Sequence, residues 1–534
     1  MNDFHNVAAL ASPAMTGSKH SGKAAPAASA TRRRILAGVV GVGSVAVLGR
    51  LGMGMASAAE EDTTTAEASA EATATATTEA TTTATAATGT LPIPDLLTAT
   101  DEDGVSVFAL EAKSGTATIV SGLTTSTAGY NGTLLGPTIQ VADGDSVRFD
   151  VTNTLDDETT VHWHGLHIAP SNDGGPQNTV AAGETWSPAT TINQGEACTL
   201  WYHPHGLGTT AEQVSLGMAG MMIVDDGSTA NAALPTDYGA DDFPLIMQST
   251  GILASGAFVT TNAGYGLSTT TLKFMVNGYS ATDNTPTLVT AYNRVRLRLL
   301  NASLADTTTV ALSDSSSFTQ VASDAGLLPT PLSITSLRLT PGERAEIVID
   351  LTADETVTLR TTVRSSTNVT RYTVSMLALS TTATDTPDDL PTTLNTITDL
   401  STTDATTRTL KLANSGNTFT INGIASTTLS VMNSNMLMTT LDAIEVWSIV
   451  NSSTTIYHNF HVHDVPFQVV SIGGATPTGA NLGLRDTIEI PPSTTVVIKM
   501  QFTDYTDDEY MYMLHCHNVI HEDDGMMLGL MVTG

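Results

Sequence analysis

The chain reads as an all-β protein built from three similar β-sandwiches, and three observations lead there. From Leu91 onward, short runs rich in β-branched residues alternate with Gly, Pro, Asn and Asp, and no stretch sustains apolar residues at helical spacing. One pattern recurs: segments 145–153, 293–301 and 443–451 align on a terminal Asn, and Asn153, Asn301 and Asn451 follow one another at intervals of 148 and 150 residues. A repeat of that length is a domain and not a solenoid unit. With 534 residues and 41% hydrophobic content, the chain is long and apolar enough to give each domain its own core.

The first 59 residues stand apart. They hold six basic residues (Lys19, Lys23, Arg32, Arg33, Arg34, Arg50) and a single acid, Asp3. Thr31-Arg32-Arg33-Arg34-Ile35-Leu36 resembles a twin-arginine export motif, an apolar run over 35–49 follows, and Ala56-Ser57-Ala58 offers a small-residue cleavage site. The run is short for a bilayer span and is broken by Arg50, which predicts a cleaved signal peptide over 1–59 and no permanent membrane span. The expected destination is the extracellular space or the cell envelope and periplasm. Residues 60–90 are almost entirely Thr, Ala and Glu and hold no large apolar side chain, so they predict a disordered low-complexity linker. Three domains are then expected over 91–235, 236–385 and 386–534, with boundaries where Pro, Asp and Thr cluster.

Charge narrows the partners. The chain carries 21 Lys and Arg against 53 Asp and Glu, a net charge of −32, and without the leader 15 basic and 52 acidic residues leave −37. So acidic a surface repels a phosphate backbone, which excludes nucleic acid as a partner, and a monomer is expected. Two cysteines allow one disulfide at most, and Cys516 lies in His515-Cys516-His517, where its neighbours point to a metal thiolate.

Ten of the 13 histidines fall in four groups: His162 and His164; His203 and His205; His458, His461 and His463; and His515, His517 and His521. Two groups lie in the first repeat, two in the third and none in the second, so a single site requires the first and third domains to face each other. On a strand, side chains two apart share a face and adjacent ones oppose. Four His pairs thus present eight imidazoles, which suit three metal ions. His458 and Cys516 point the other way, and with His521 and Met526 they make two imidazoles, a thiolate and a weak thioether, the set that selects a blue, electron-transferring copper. Cys516 would join the two sites through the backbone it shares with His515 and His517. Structural zinc needs only four ligands and leaves most of these twelve positions unexplained.

These residues, in this order, resemble the multicopper oxidase family over about residues 91–534. The resemblance implies three cupredoxin domains and four copper ions. Type 1 copper would take His458, Cys516, His521 and Met526; type 2 would take His162 and His461; and the type 3 pair would take His164, His203, His205, His463, His515 and His517. The implied activity removes electrons singly from a phenolic compound or Cu(I) at the type 1 copper and reduces dioxygen to water at the trinuclear cluster. Segments 173–177, 322–329 and 521–527 are similar to those of bacterial copper efflux oxidases, and the spore-coat laccase group is also similar. By that likeness Asp173 and Glu522 deliver protons to the cluster, which suits a reaction that consumes four of them. The alternative is a non-catalytic cupredoxin scaffold or copper-binding envelope protein, although such proteins typically lose ligands and this chain keeps all twelve.

Three positions depart from the efflux oxidases. No Met- and His-rich insertion precedes His458, Thr454 and Ile456 stand where an Asp and a Met would bind substrate copper, and Asp464 replaces the Gly expected at the rim of the type 1 pocket. Met432, Met436 and Met438 could offer soft ligands to Cu(I), but clustered Met is commonly core filling. Cys198 reads as a buried small hydrophobe and His167 as a pocket or surface residue.

Overall fold

The computed structural model describes residues 89–261 and 264–534. The predicted leader and all but the last two residues of the predicted linker lie outside them. Strands dominate, and they form six sheets in three successive pairs. A six-stranded sheet centred on Val105–Val120 and Ser146–Asn153 faces a four-stranded sheet ordered Ile139–Ala142, Gly220–Asp225, Cys198–His203 and His162–His164. A seven-stranded sheet containing Asp242–Ile252 and Arg294–Asn301 faces a five-stranded one, and two five-stranded sheets close the chain. Each pair encloses one apolar core fed by both of its sheets; in the last pair Trp447 and Ile449 of one sheet meet Leu514, Leu528 and Leu530 of the other. Among the described residues no helix is long and apolar enough to cross a membrane.

The recurring Asn proves to be a structural device. Each closes a strand that pairs in parallel with the first long strand of its own sandwich. Its buried amide then organises the turn that follows. Asn153 donates to the carbonyls of Asp157 and Val180, Asn301 to those of Asp306 and Leu339, and Asn451 to those of Ile456 and Ile490. Each side-chain oxygen accepts the N–H two residues on, from Leu155, Ser303 and Ser453. Only an uncharged group with two donors and an acceptor can make all three bonds, so neither Asp nor Leu can replace it.

His167, which falls outside the four groups, ties the first sandwich to the third. Its Nδ1 lies 2.7 Å from Asp464 Oδ1 and its Nε2 3.0 Å from Asp504 Oδ2. Burial alone would lower its pKa, but the two carboxylates overcome this and raise it to about 9, so the ring is a buried imidazolium at neutral pH. Asp464, which was expected at the rim of the type 1 pocket, serves this clamp instead: its φ of 76° turns the chain back so that its carboxylate meets His167 and the Ile168 N–H. Burial lifts Asp464 to about 6 despite the imidazolium, so the ion pair is complete between about pH 6 and 9.

Two outcomes follow from these contacts. Asn301→Ala should lower stability by about 2–4 kcal/mol, since it strands two buried carbonyls and one N–H, and Asn301→Asp should not restore it; urea unfolding checks both. A folded-state pKa above the ordinary 6.5 means that His167 contributes fully near that pH, where Asp464 is still ionised, and progressively less as pH rises through about 9. The stability gap between the parent and His167→Gln, roughly 2 kcal/mol near pH 6.5, should therefore close above pH 9.

Candidate metal centre

Strands deliver only part of each His pair. His162–His164 is a strand in full, but Cys198–His203 ends before Pro204-His205, His458–Val462 ends before His463, and Tyr512–His515 ends before Cys516-His517. Face alternation therefore places the first member of each later pair, and the turn beyond the strand swings the second inward. Ladder pairing sets the firsts side by side: His162 opposite His203 in the first sandwich, and His461 opposite His515 in the third.

The eight imidazoles meet between these two sandwiches, all essentially excluded from solvent. A donor nitrogen from each of His205, His463 and His515 converges on one point, with Nε2 of His515 lying 3.1 Å from that of His205 and 3.3 Å from that of His463. His164 and His203 converge with His162, and the His517 ring sits 4.9 Å from His164 and 5.3 Å from His203. His461 stacks on His164 at 3.7 Å and lies 5.9 Å from His162. Burial first, and crowding by the other imidazoles second, push His164, His203, His461 and His463 well below the ordinary pKa, and burial holds His205 at about 3 against the opposing pull of Glu522. Neutral rings keep lone pairs available. Nε2 of His162, His203 and His461 and both nitrogens of His517 are buried without a hydrogen-bond partner, a cost that a bound metal ion would remove.

Two acids orient the rings. Asp173 Oδ2 accepts from Nδ1 of His463 at 2.7 Å, and its backbone carbonyl accepts from Nδ1 of His162 at 3.0 Å, which commits Nε2 of both rings to the centre. Glu522 lies 3.0 Å from Nδ1 of His515 and 3.6 Å from that of His205. Burial alone would raise its pKa, but these imidazoles hold it down at about 2, so it is ionised. The spacing of the motifs gave no hint of a third acid, Asp486, whose Oδ1 lies 3.2 Å from Nε2 of His164 and whose backbone carbonyl takes Nδ1 of His461. Arg344 of the middle sandwich grips both oxygens of Asp486, at 2.6 and 2.5 Å, and also donates to the Thr199 carbonyl in the first sandwich. The middle sandwich also lays Gly342 against His517: with φ at 85°, a Cβ there would come within 2.9 Å of the ring.

The second site lies in the core of the third sandwich. Cys516 Sγ is 3.6 Å from Nδ1 of His458 and 3.7 Å from Nδ1 of His521. Met526 is fully buried in the same core cluster, and its carbonyl accepts the Cys516 N–H. Burial pushes the Cys516 thiol up to about 12, so a cation must be present for it to act as thiolate. Two residues that sequence spacing did not single out complete the pocket. Asn459 places its carbonyl 3.4 Å from the sulfur, and Phe419 stacks on His521 at 3.9 Å, which covers that ring. Cys198 is buried in the core of the first sandwich, and Met432 is enclosed while Met436 is half-buried and Met438 exposed.

Three family models described as multicopper oxidase match residues 111–229, 225–380 and 389–534. A multicopper oxidase mco of Staphylococcus haemolyticus is 32% identical, over 81% of this chain and 90% of that one. A cell division protein FtsP of Xenorhabdus nematophila is 33% identical over 72% and 80%. The crystal structure of a laccase from Pediococcus acidilactici superposes with a TM-score of 0.74 at 28% identity, covering 83% of this chain and 94% of that one.

Gly342→Ala should displace His517. Copper affinity among the eight imidazoles should fall by about tenfold or more while the blue absorption of the Cys516 site persists. Copper analysis beside visible absorption checks this, and full copper loading would contradict it.

Proposed function

Because the chain belongs to the multicopper oxidase family, we propose that it is a laccase-like oxidase, taking single electrons from an organic, hydrogen-bonding reductant such as a phenol and passing them to dioxygen. The observation that carries this choice is the cleft over His458. It is lined by Ala305, Thr307, Thr340, Pro341, Ser366 and Tyr457, together with Asn459 and Asn518. Among the described residues, hydroxyls, amides and apolar groups line it, and no carboxylate or thioether does. The cleft is small, about 10 Å³, so a phenol would meet its hydroxyl and amide rim from outside, whereas Cu(I) would find no soft or anionic ligand there.

In this reading His458, Cys516, His521 and Met526 hold the type 1 copper, His162 and His461 the type 2, and the remaining six His the type 3 pair, four ions in all. When bound, copper supplies one-electron acceptance at the first site and four-electron reduction of dioxygen at the others. The protein does the rest. With Phe419 covering His521, electrons enter at His458, and the backbone of Cys516 carries them one residue to His515 and His517. Asp173 and Glu522, each bonded to a ring of the cluster, are placed to relay the four protons that accompany four electrons when dioxygen becomes two waters.

The likeness to the cell division protein supports a second reading, a scaffold without turnover. Retention of all twelve donors, all of them buried, supports the oxidase.

Oxygen uptake by the copper-loaded protein, with a simple phenol and with Cu(I) held by a weak chelator at matched driving force, separates these readings. The phenol should be turned over about tenfold faster or more, a factor worth about 1.4 kcal/mol at the transition state. Faster turnover of Cu(I) overturns the substrate assignment, and no uptake with either favours the scaffold. Cys516→Ser should lose the blue colour and oxygen uptake together.

A further inference from the structure

Three adjoining strands of the third sandwich, Leu437–Thr440, Met527–Thr533 and Tyr512–His515, have two unlike faces. One face supplies Tyr512, Leu514, Leu528, Leu530 and Val532 to the domain core. The other is almost wholly methionine. Met438 pairs with Met531, Met513 with Gly529, and Met527 with His515, so thioethers occupy neighbouring positions across the sheet and the last row ends on an imidazole of the metal centre. Met511 continues the alternation outward. Met432 and Met436 pack onto the face from the helix Leu429–Asn435 and its C-terminal end, and Leu207 of the first sandwich closes it.

Seven of the 19 methionines of the chain thus lie on one patch, while the opposite face of the same strands packs with leucine, valine and tyrosine. Packing alone does not demand that division, since Leu and Met fill similar volumes. Gly529 makes room at the centre of the face for the Met511 thioether, because a Cβ there would overlap Met511 Sδ and lie 3.3 Å from Met436 Cβ. Burial is graded along the patch: Met438 is 45% exposed, Met436 half-buried, and Met511, Met513 and Met527 enclosed beside His515.

We propose that this face binds Cu(I) around Gly529, through the thioethers of Met436, Met511 and Met513, and that it is the route by which copper reaches His515. Thioethers are soft, uncharged and free of any proton to lose, so they hold a soft monovalent ion in a buried, apolar setting and leave divalent ions to harder donors. A short chain of weak, equivalent ligands allows the ion to move, and the imidazoles at its inner end bind more firmly. The site is separate from the His458 cleft and needs no redox step. Its binding stands on the methionines alone; delivery rests on the reading of His515 as a copper ligand.

Ag(I), a redox-inert stand-in for Cu(I), tests the site in the copper-loaded full chain against Met436→Leu/Met511→Leu, whose volumes are conserved and which leaves His458, Cys516, His521, Met526 and the eight imidazoles of the centre in place. The parent should hold Ag(I) at least tenfold more tightly than the double variant, with the blue absorption equal in both. Equal Ag(I) affinity overturns the site. Delivery is read separately, as copper content per blue centre in protein produced at limiting copper. A fall of twofold or more in the variant is expected, and equal content would remove the delivery role while leaving the binding result intact.

Discussion

The guanidinium of Arg344 is the contact on which the arrangement of the three sandwiches around the centre depends. It belongs to the middle sandwich, binds the Asp486 carboxylate of the third through two bonds, and donates to a backbone carbonyl of the first. Both partners of the ion pair are buried, and removing either would leave an uncompensated charge at a cost of about 3–5 kcal/mol. Asp486 in turn touches His164 and, through its carbonyl, His461. Arg344 thereby fixes the domain that holds no histidine against both domains that supply the candidate donors.

Around that anchor, burial sets the chemistry. Eight imidazoles in a dry interface cannot all be protonated, and the resulting neutral rings are the form that binds metal. Asp173 and Glu522 choose which nitrogen of a ring faces inward by engaging the other. In the neighbouring core the same exclusion of water raises the Cys516 thiol, so that its ionisation is tied to a bound cation. The acids of the centre thus act as positioning groups for the imidazoles they contact.

The middle sandwich contributes shape as well as charge. Gly342 lets its backbone lie against His517, and the Thr340–Pro341 turn accepts the amide of Asn459, whose carbonyl stands beside Cys516. A domain free of histidine thus presses on both candidate metal sites. The small indentation beside the buried His458 also lies along this contact, between Thr307 and Tyr457, so the fit of two domains shapes it.

Much of this was legible in the sequence. The all-β class, the repeat marked by Asn153, Asn301 and Asn451, and the twelve candidate donors follow from local rules: side chains alternate along strands, an amide has a fixed number of donors, and soft and hard ligands differ. The three-way Arg344 contact was not legible, nor was the pairing of His167 with Asp464 and Asp504, nor Asn459 beside the thiol. Those residues sit 297 and 337 positions apart in the case of the His167 clamp and 142 in that of Arg344 and Asp486. Periodicity carries no information at such separations, and an isolated Arg or Asp has no spacing to betray it. The sequence by itself determined which atoms could bind metal. Only the tertiary structure decided which of them share a point in space, because burying charge and closing three domains on one another are properties of the packed whole.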